Sequence, residues 1–383
     1  MGERFIEKRL GAMESTDHAR LVARGRRVEG VLNLSGGDPD FDTPRHIKEA
    51  AVRALEEGWT HYPTTYGQPE LKRALADYHG RYGVDWDPSE VLVTAGSAQS
   101  LFVAMAGTLN PGEEVIQLEP YYMAYHGLIE YLGAREVAVP LLEEEGYRLD
   151  AEALKEAVTP RTKMIIICNP SNPSGTVYTD GELRAIAETA VDSDLLVISD
   201  EVYNELIWDG REHRTISALP GMRGRTIVSM SFSKTFAMTG WRLGCIVADA
   251  SISSRLARLP VSFRTNTFVQ KAGLAALKGP WEPVEEFRRE FDRRRRFLVN
   301  RLEEIDGVTC HIPEATIFTF PNITGTGKGS VEFCEALLEE NKILVRPGVA
   351  FGKAGEGHVR VPLIRPVETL ETVASAIEGV ASK

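Results

Sequence analysis

Four cysteines in 383 residues, none of them in a CxxC pair, leave no framework for disulfides or for a thiolate metal cluster. Cys168, Cys245, Cys310 and Cys334 are scattered and read as reduced thiols of a cytoplasmic protein. Long apolar runs are missing as well. None approaches the roughly 18–20 residues of a membrane span, and MGERFIEKRLGAMEST at the start holds no apolar signal core. There is no basic surplus: a net charge of −11 argues against a nucleic-acid binder, because a phosphate backbone demands a cationic face. The eight histidines show no HxxxH or HExxH spacing, so no metal is expected. What is present is ordinary for a globular protein, 43% hydrophobic and 26% charged, in a chain long enough to suggest two domains.

The organisation is an alternation. Apolar segments that read as strands (Glu90–Thr94, Glu114–Leu118, Ala134–Val139, Thr162–Cys168, Leu195–Ser199 and Thr226–Ser231) alternate with segments of helical character. Strands apolar throughout imply a mostly parallel, doubly wound α/β sheet covered on both faces. From about Asp306 the pattern changes to short strands and helices, a smaller α+β unit. The charged stretch Gly279–Leu302, with four consecutive arginines at 293–296, reads as a solvated helix laced with salt bridges.

In an open sheet of this kind ligands bind beyond the carboxyl ends of the strands. Gly96 and Ser97, Tyr122, Asn172, Asp200, Tyr203 and Lys234 all fall just past such an end. A lysine there can be desolvated, and its amine becomes a nucleophile toward carbonyl carbon. An aspartate at a buried strand end can hold a proton on a heterocyclic nitrogen. The set fits pyridoxal 5′-phosphate. Lys234 would hold its aldehyde as a Schiff base, Asp200 would pair with the ring nitrogen, and Tyr203 and Asn172 would bond the 3′-oxygen. Tyr122 would stack on the ring. Ser97, Ser231, Ser233 and Arg242, with amides at a helix start, would hold the phosphate. In Gly357-His358-Val359-Arg360-Val361, Arg360 alternates with apolar neighbours and is expected to point into a cleft or an ion pair.

Eight pieces in order carry a resemblance: GGDPDFDTP (36–44), HYPTTYGQPELKRAL (61–75), AGSAQ (95–99), EPYY (119–122), NPSNPSG (169–175), DEVY (200–203), SFSKTFAMTGWRLG (231–244) and PGVAFGKAGEGHVRV (347–361). The chain resembles the class I aminotransferases, pyridoxal-phosphate enzymes of fold type I. The resemblance implies transfer of an amino group between an L-amino acid and a 2-oxo acid, with Lys234 as the cofactor lysine and proton shuttle. It implies phosphate contacts from Ser231, Arg242 and the amides near Ala98 and Gln99, and a substrate carboxylate gripped by Arg360 with the backbone of Gly37. It also implies a homodimer in which Tyr66 reaches the neighbouring subunit's phosphate. A large cofactor-binding domain of 45–275 and a discontinuous small domain of 1–44 plus 276–383 are expected.

Departures bear on the substrate. Family members specific for aspartate carry a lysine in a GGKQ turn; here the turn is Gly96-Ser97-Ala98-Gln99. Arg264 lies in a segment often presented to the neighbouring active site, where it could read an acidic side chain. Tyr122 stands where many relatives have tryptophan, and the segments 314–318 and 361–365 depart from the usual pattern. A C–S lyase, decarboxylase or synthase on the same scaffold is the alternative enzyme. A ligand-sensing regulator is disfavoured, since about 30 N-terminal residues are too few for a helix-turn-helix domain.

Overall fold

The computed structural model describes residues 7–12, 16–63, 66–261 and 263–383. Thr64 and Thr65, within the piece HYPTTYGQPELKRAL, lie outside the described residues. Seven strands make the larger sheet: β1 (Val91–Thr94), β2 (Glu114–Glu119), β3 (Arg135–Pro140), β4 (Thr162–Cys168), β5 (Leu196–Asp200), β6 (Thr226–Ser231) and β7 (Gly244–Ala248). Their spatial order is β1-β7-β6-β5-β4-β2-β3. Every neighbouring pair is parallel except those made by β7, which runs antiparallel to β1 and β6. The expected mostly parallel α/β sheet is therefore present. Its central strands are apolar because both faces are covered: β4 buries Met164 through Cys168 without a break. Each isoleucine buried there contributes roughly 1.5–3 kcal/mol.

Strand β7 was not expected. Its five residues, GCIVA, follow β6 with no intervening α-helix, so the strand–helix alternation that located the other strands does not apply to it. Helices Ala124–Tyr131, Ala250–Leu256 and Thr267–Lys278 also went unread.

A three-stranded antiparallel sheet is built from Phe318–Thr319, Val359–Pro362 and Arg346–Pro347, with Val359–Pro362 in the middle. Nearby, Leu32–Asn33 pairs in parallel with Ile343–Leu344. That pairing lays an early segment beside the last third of the chain, and Leu21, Val22 and Leu34 pack in one core with Phe291, Leu298, Phe333 and Ile377.

The charged helix spans Glu282–Glu303 and corrects the solvated reading of its four arginines. Arg293 and Arg296 are exposed at its surface, but Arg294 is 4% exposed and Arg295 is sealed. Arg294 donates to Asp40 Oδ1 at 2.7 Å and to the Leu363 carbonyl at 2.9 Å. Arg295 donates to Asp209 Oδ2 and to the Pro313 carbonyl, both at 2.8 Å. A guanidinium can be buried when acids and carbonyls take its donors.

Candidate active site

The carboxyl ends of β1, β2, β4, β5 and β6 open onto one cavity of about 300 Å³. Its walls include Ser97, Ala98, Tyr122, Asn172, Asp200, Tyr203, Ser231, Ser233, Lys234 and Arg242 from around the larger sheet. Gly37, Phe318, Arg346 and Arg360 close the opposite side.

Lys234 is half-buried, and its Nζ donates to the carbonyl of Gly37. Burial, with the Arg360 and Arg242 cations nearby, pulls its ammonium down to about 8. Asp200 ends β5 and is 2% exposed. Burial pushes its carboxyl up to about 7, against the bond that Oδ2 accepts from Tyr125 Oη at 2.9 Å and the lesser pull of the Ser229 hydroxyl. Oδ1 accepts no hydrogen bond from the described residues. An orphaned, sealed acceptor on a cavity wall invites a donor from a ligand.

Glu201 follows directly and has a different environment. Its Oε2 accepts from His79 Nε2 at 3.1 Å and His213 Nε2 at 2.9 Å. Its Oε1 accepts from Thr215 Oγ1 at 2.7 Å and Ser199 Oγ at 2.8 Å. Trp86 Nε1 donates to His79 Nδ1 at 2.9 Å, which leaves His79 Nε2 to carry the hydrogen given to Glu201. Burial pushes Glu201 up, but His213 and His79 and the bonds they donate hold it well below the usual carboxylate range.

Helix Ser97–Ala106 starts one residue after Gly96, whose φ is +83°. A Cβ on Gly96 would meet Arg242 Nη2 at 2.7 Å, so glycine is needed for the guanidinium to lie over the turn. Arg242 donates to the Ala95 carbonyl at 3.3 Å and the Thr239 carbonyl at 3.1 Å. This helix start, with Ser231 and Ser233 on the same cavity wall, is an anion cradle. Gln99 does not line the cavity. Its amide bonds the Gly96 carbonyl at 3.1 Å and its side chain takes the Ala95 amide at 2.7 Å, so it closes the turn. The cradle, the orphaned Asp200 Oδ1 and the depressed lysine together fit the phosphate, ring nitrogen and aldehyde of pyridoxal 5′-phosphate.

Arg360 is 3% exposed and lies 4.1 Å from the Phe318 ring centre. It donates to Asn172 Oδ1 and to the Ser35 carbonyl, both at 3.0 Å, and makes no ion pair among the described residues. Burial and the neighbouring Arg346 pull it down to about 9.

Besides Gln99, two expected residues lie away from this cavity. Tyr66 donates to the Ala257 carbonyl at 3.1 Å and packs edge-on against Phe263. Arg264 sits over the Tyr62 ring at 5.1 Å, beside a separate cleft that His61 and Asn266 also line. Within 314–318, Phe318 lines the cavity, whereas Glu314 pairs with Arg148 and Arg211. Tyr125, the carbonyl of Ser35 and Arg346 were not singled out. Arg346 had a signal that was available: it is a cation closing the apolar run Ile343–Val345, like Arg360 in its own strand. Tyr125 and Ser35 carry none that is local.

No helix among the described residues is long and apolar enough to cross a membrane. The family model described as aminotransferase class I and II matches residues 29–377. The chain is 39% identical over 381 residues to aromatic-amino-acid aminotransferase 2 of Thermococcus litoralis, with 98% of each chain covered. It is 38% identical over 385 residues to an aspartate aminotransferase of Pyrococcus horikoshii, again with 98% of each covered. The solved structure of a Thermus thermophilus aspartate aminotransferase single mutant matches with a TM-score of 0.92 at 34% identity, covering 98% of this chain and 99% of that one.

Proposed function

As the chain belongs to the class I and II aminotransferase family, and transfers an amino group between an amino acid and a 2-oxo acid with pyridoxal 5′-phosphate, we propose how its own residues divide that work. When bound, the cofactor supplies an aldehyde for amine exchange and a protonated ring that accepts electron density from the substrate's Cα. Lys234 Nζ is the amine that holds the cofactor and, once released, the base that moves the Cα proton. A lysine poised near 8 is neutral often enough to do so at mildly alkaline pH. Asp200 keeps the proton on the ring nitrogen. Tyr203 and Asn172 hold the 3′-oxygen, and Tyr122 covers a face of the ring. Arg242, Ser97, Ser231, Ser233 and the amide of Ala98 take the phosphate. Arg360, helped by the backbone of Gly37, grips and orients the substrate α-carboxylate.

One observation carries this reading: a sealed Asp200 with an unpartnered Oδ1 shares a cavity with a partly buried lysine of lowered pKa. The same reading takes the protein as a homodimer of the cytoplasm. Tyr66 and Arg264 both lie outside this chain's own cavity and would serve the neighbouring subunit's. Four buried, free thiols suit a reducing compartment. The core that joins Leu21 and Leu34 to the C-terminal helices supports a small domain of 1–44 plus 276–383 beside a large one of 45–275.

The test is a panel of amino acids added to the cofactor-loaded protein. The carbonyl–lysine absorbance should bleach with at least one of them and return with a 2-oxo acid. A cofactor that binds without any absorbance shift, or a Lys234→Ala variant that keeps more than about 10⁻⁴ of the rate, refutes the assignment. Sedimentation giving a monomer mass refutes the shared sites.

A further inference from the structure

Lys234 stands in the connection between β6 and β7. Two residues of that connection have left-handed backbones although neither is glycine: Ala237 at φ +49° and Arg242 at φ +54°. Such a backbone is unfavourable for a residue with a Cβ and persists where the surroundings hold it. On one side Phe236 and Met238 anchor the connection in the core. On the other side Ala237, Thr239 and Trp241 line a second cleft, of about 490 Å³, together with the segment 38–43.

Thr43 ties that second side. Its Oγ1 donates to the Ala237 carbonyl at 2.7 Å and accepts from Trp241 Nε1 at 3.0 Å. One hydroxyl thus spans the connection, because Ala237 lies three residues past Lys234 and Trp241 directly precedes Arg242 of the anion cradle. Thr43 is 9% exposed, so water is poorly placed to substitute for either bond. A neighbouring tie runs from Thr239 Oγ1 to Asp38 Oδ1. The segment that carries Thr43 also carries Gly37, whose carbonyl takes Lys234 Nζ. Pro44 follows, and helix Arg45–Glu56 behind it buries Ile47 and Ala51 in the same core as Phe236 and Met238. The hydroxyl is therefore presented from a fixed point.

We propose that Thr43 is a positioning residue for amino-group transfer: by holding Ala237 and Trp241 it fixes the connection that presents Lys234 and Arg242. The proposal rests on the transaminase reading. Thr43 does not line the cofactor cavity, and it acts through the backbone on either side of Lys234. The Lys234 amine has to meet a carbonyl carbon and later a Cα proton, so a displaced connection is penalised at both. A misplacement of about 1 Å can cost on the order of 10²-fold in rate.

The test compares two conservative variants. Thr43→Val keeps the branched outline and loses the hydroxyl, whereas Thr43→Ser keeps the hydroxyl. In cofactor-free protein, pyridoxal, which has no phosphate, is trapped on Lys234 with borohydride. The adduct is counted by mass spectrometry and scaled to the folded fraction. Thr43→Val should slow trapping about tenfold, and in the cofactor-loaded protein it should lower kcat roughly 10- to 100-fold with KM moving less. Thr43→Ser should stay within about threefold of wild type in both measurements. Wild-type trapping in Thr43→Val, or equal losses in the two variants, overturns the proposal. So does a loss that disappears on scaling to the folded fraction. If Thr43→Val does not fold, Trp241→Phe decides: without the Nε1 donor, trapping should slow about threefold, and an unchanged rate sinks the idea. Failure of the transaminase reading looks different, because no amino acid would then bleach the cofactor band while trapping at Lys234 would still separate valine from serine at position 43.

Discussion

Asp200 and Glu201 are consecutive acids, both sealed from water, and they end up with opposite character. Burial alone would push both carboxyls up. Glu201 accepts four bonds and is held well below its ordinary range, whereas Asp200 accepts one and sits near 7. The partners, rather than depth, decide the sign: the charge of His213 and the bonds given by both imidazoles bring Glu201 down. Glu201 belongs to a finished site that fastens the end of β5 to His79, His213 and Thr215. Asp200 belongs to an unfinished one, and on the reading proposed above its missing donor would be the cofactor's ring nitrogen.

The contrast breaks most visibly at Asp200→Asn. That change should cost roughly 10²- to 10⁴-fold in turnover while leaving the cofactor-free protein no less stable, since it removes a buried carboxyl with one partner. Stability is read from thermal midpoints without cofactor. Glu201→Leu should do the reverse. It strands four buried donors and should lower stability by about 3–5 kcal/mol, with activity falling only as the folded fraction does. Equal midpoint losses in the two variants would erase the distinction.

The pH dependence of the cofactor-free protein sharpens it. Asp200 rises from 3.8 to about 7 on folding, so between those values the folded chain holds a proton that the unfolded chain has lost. Stability should therefore decline as pH climbs through that window, and Asp200→Asn should flatten the decline. Glu201 is lowered from 4.5, so its stabilisation is complete above 4.5 and drains away as pH falls below it. Glu201→Gln should flatten that acid limb. Denaturant midpoints across the range check both slopes. The smallest effect is expected from Tyr125→Phe, which removes the 2.9 Å hydrogen bond to Asp200 Oδ2. It should raise the Asp200 pKa further and weaken cofactor affinity about three- to tenfold. An unchanged affinity would mean that the phenol is only filling space.

The sequence was legible where chemistry coincided with a local pattern. Lys234 and Asp200 stand at the ends of apolar runs, and β4 and β6 run between the same residues that their composition suggests. Strand β7 escaped because antiparallel return needs no helix to announce it. Arg294 and Arg295 looked solvated because the groups that bury them, Asp40, Asp209, Pro313 and Leu363, are distant in the chain. The shell of Glu201 is assembled from residues 79 to 215, and no window of sequence contains it. The same holds for the Ser35 carbonyl, which meets two arginines more than 300 residues away.

The antiparallel pairing of residues 346 and 360 has a consequence for descent. These two arginines stand on a small sheet of their own, and Asp200 and Lys234 are carried by another. A lineage can therefore exchange residue 346 in a single mutational step without altering a residue of the sheet that presents the cofactor machinery. Whatever contact residue 346 makes in the cavity can be retuned while the strands that carry Asp200 and lead to Lys234 keep their sequence.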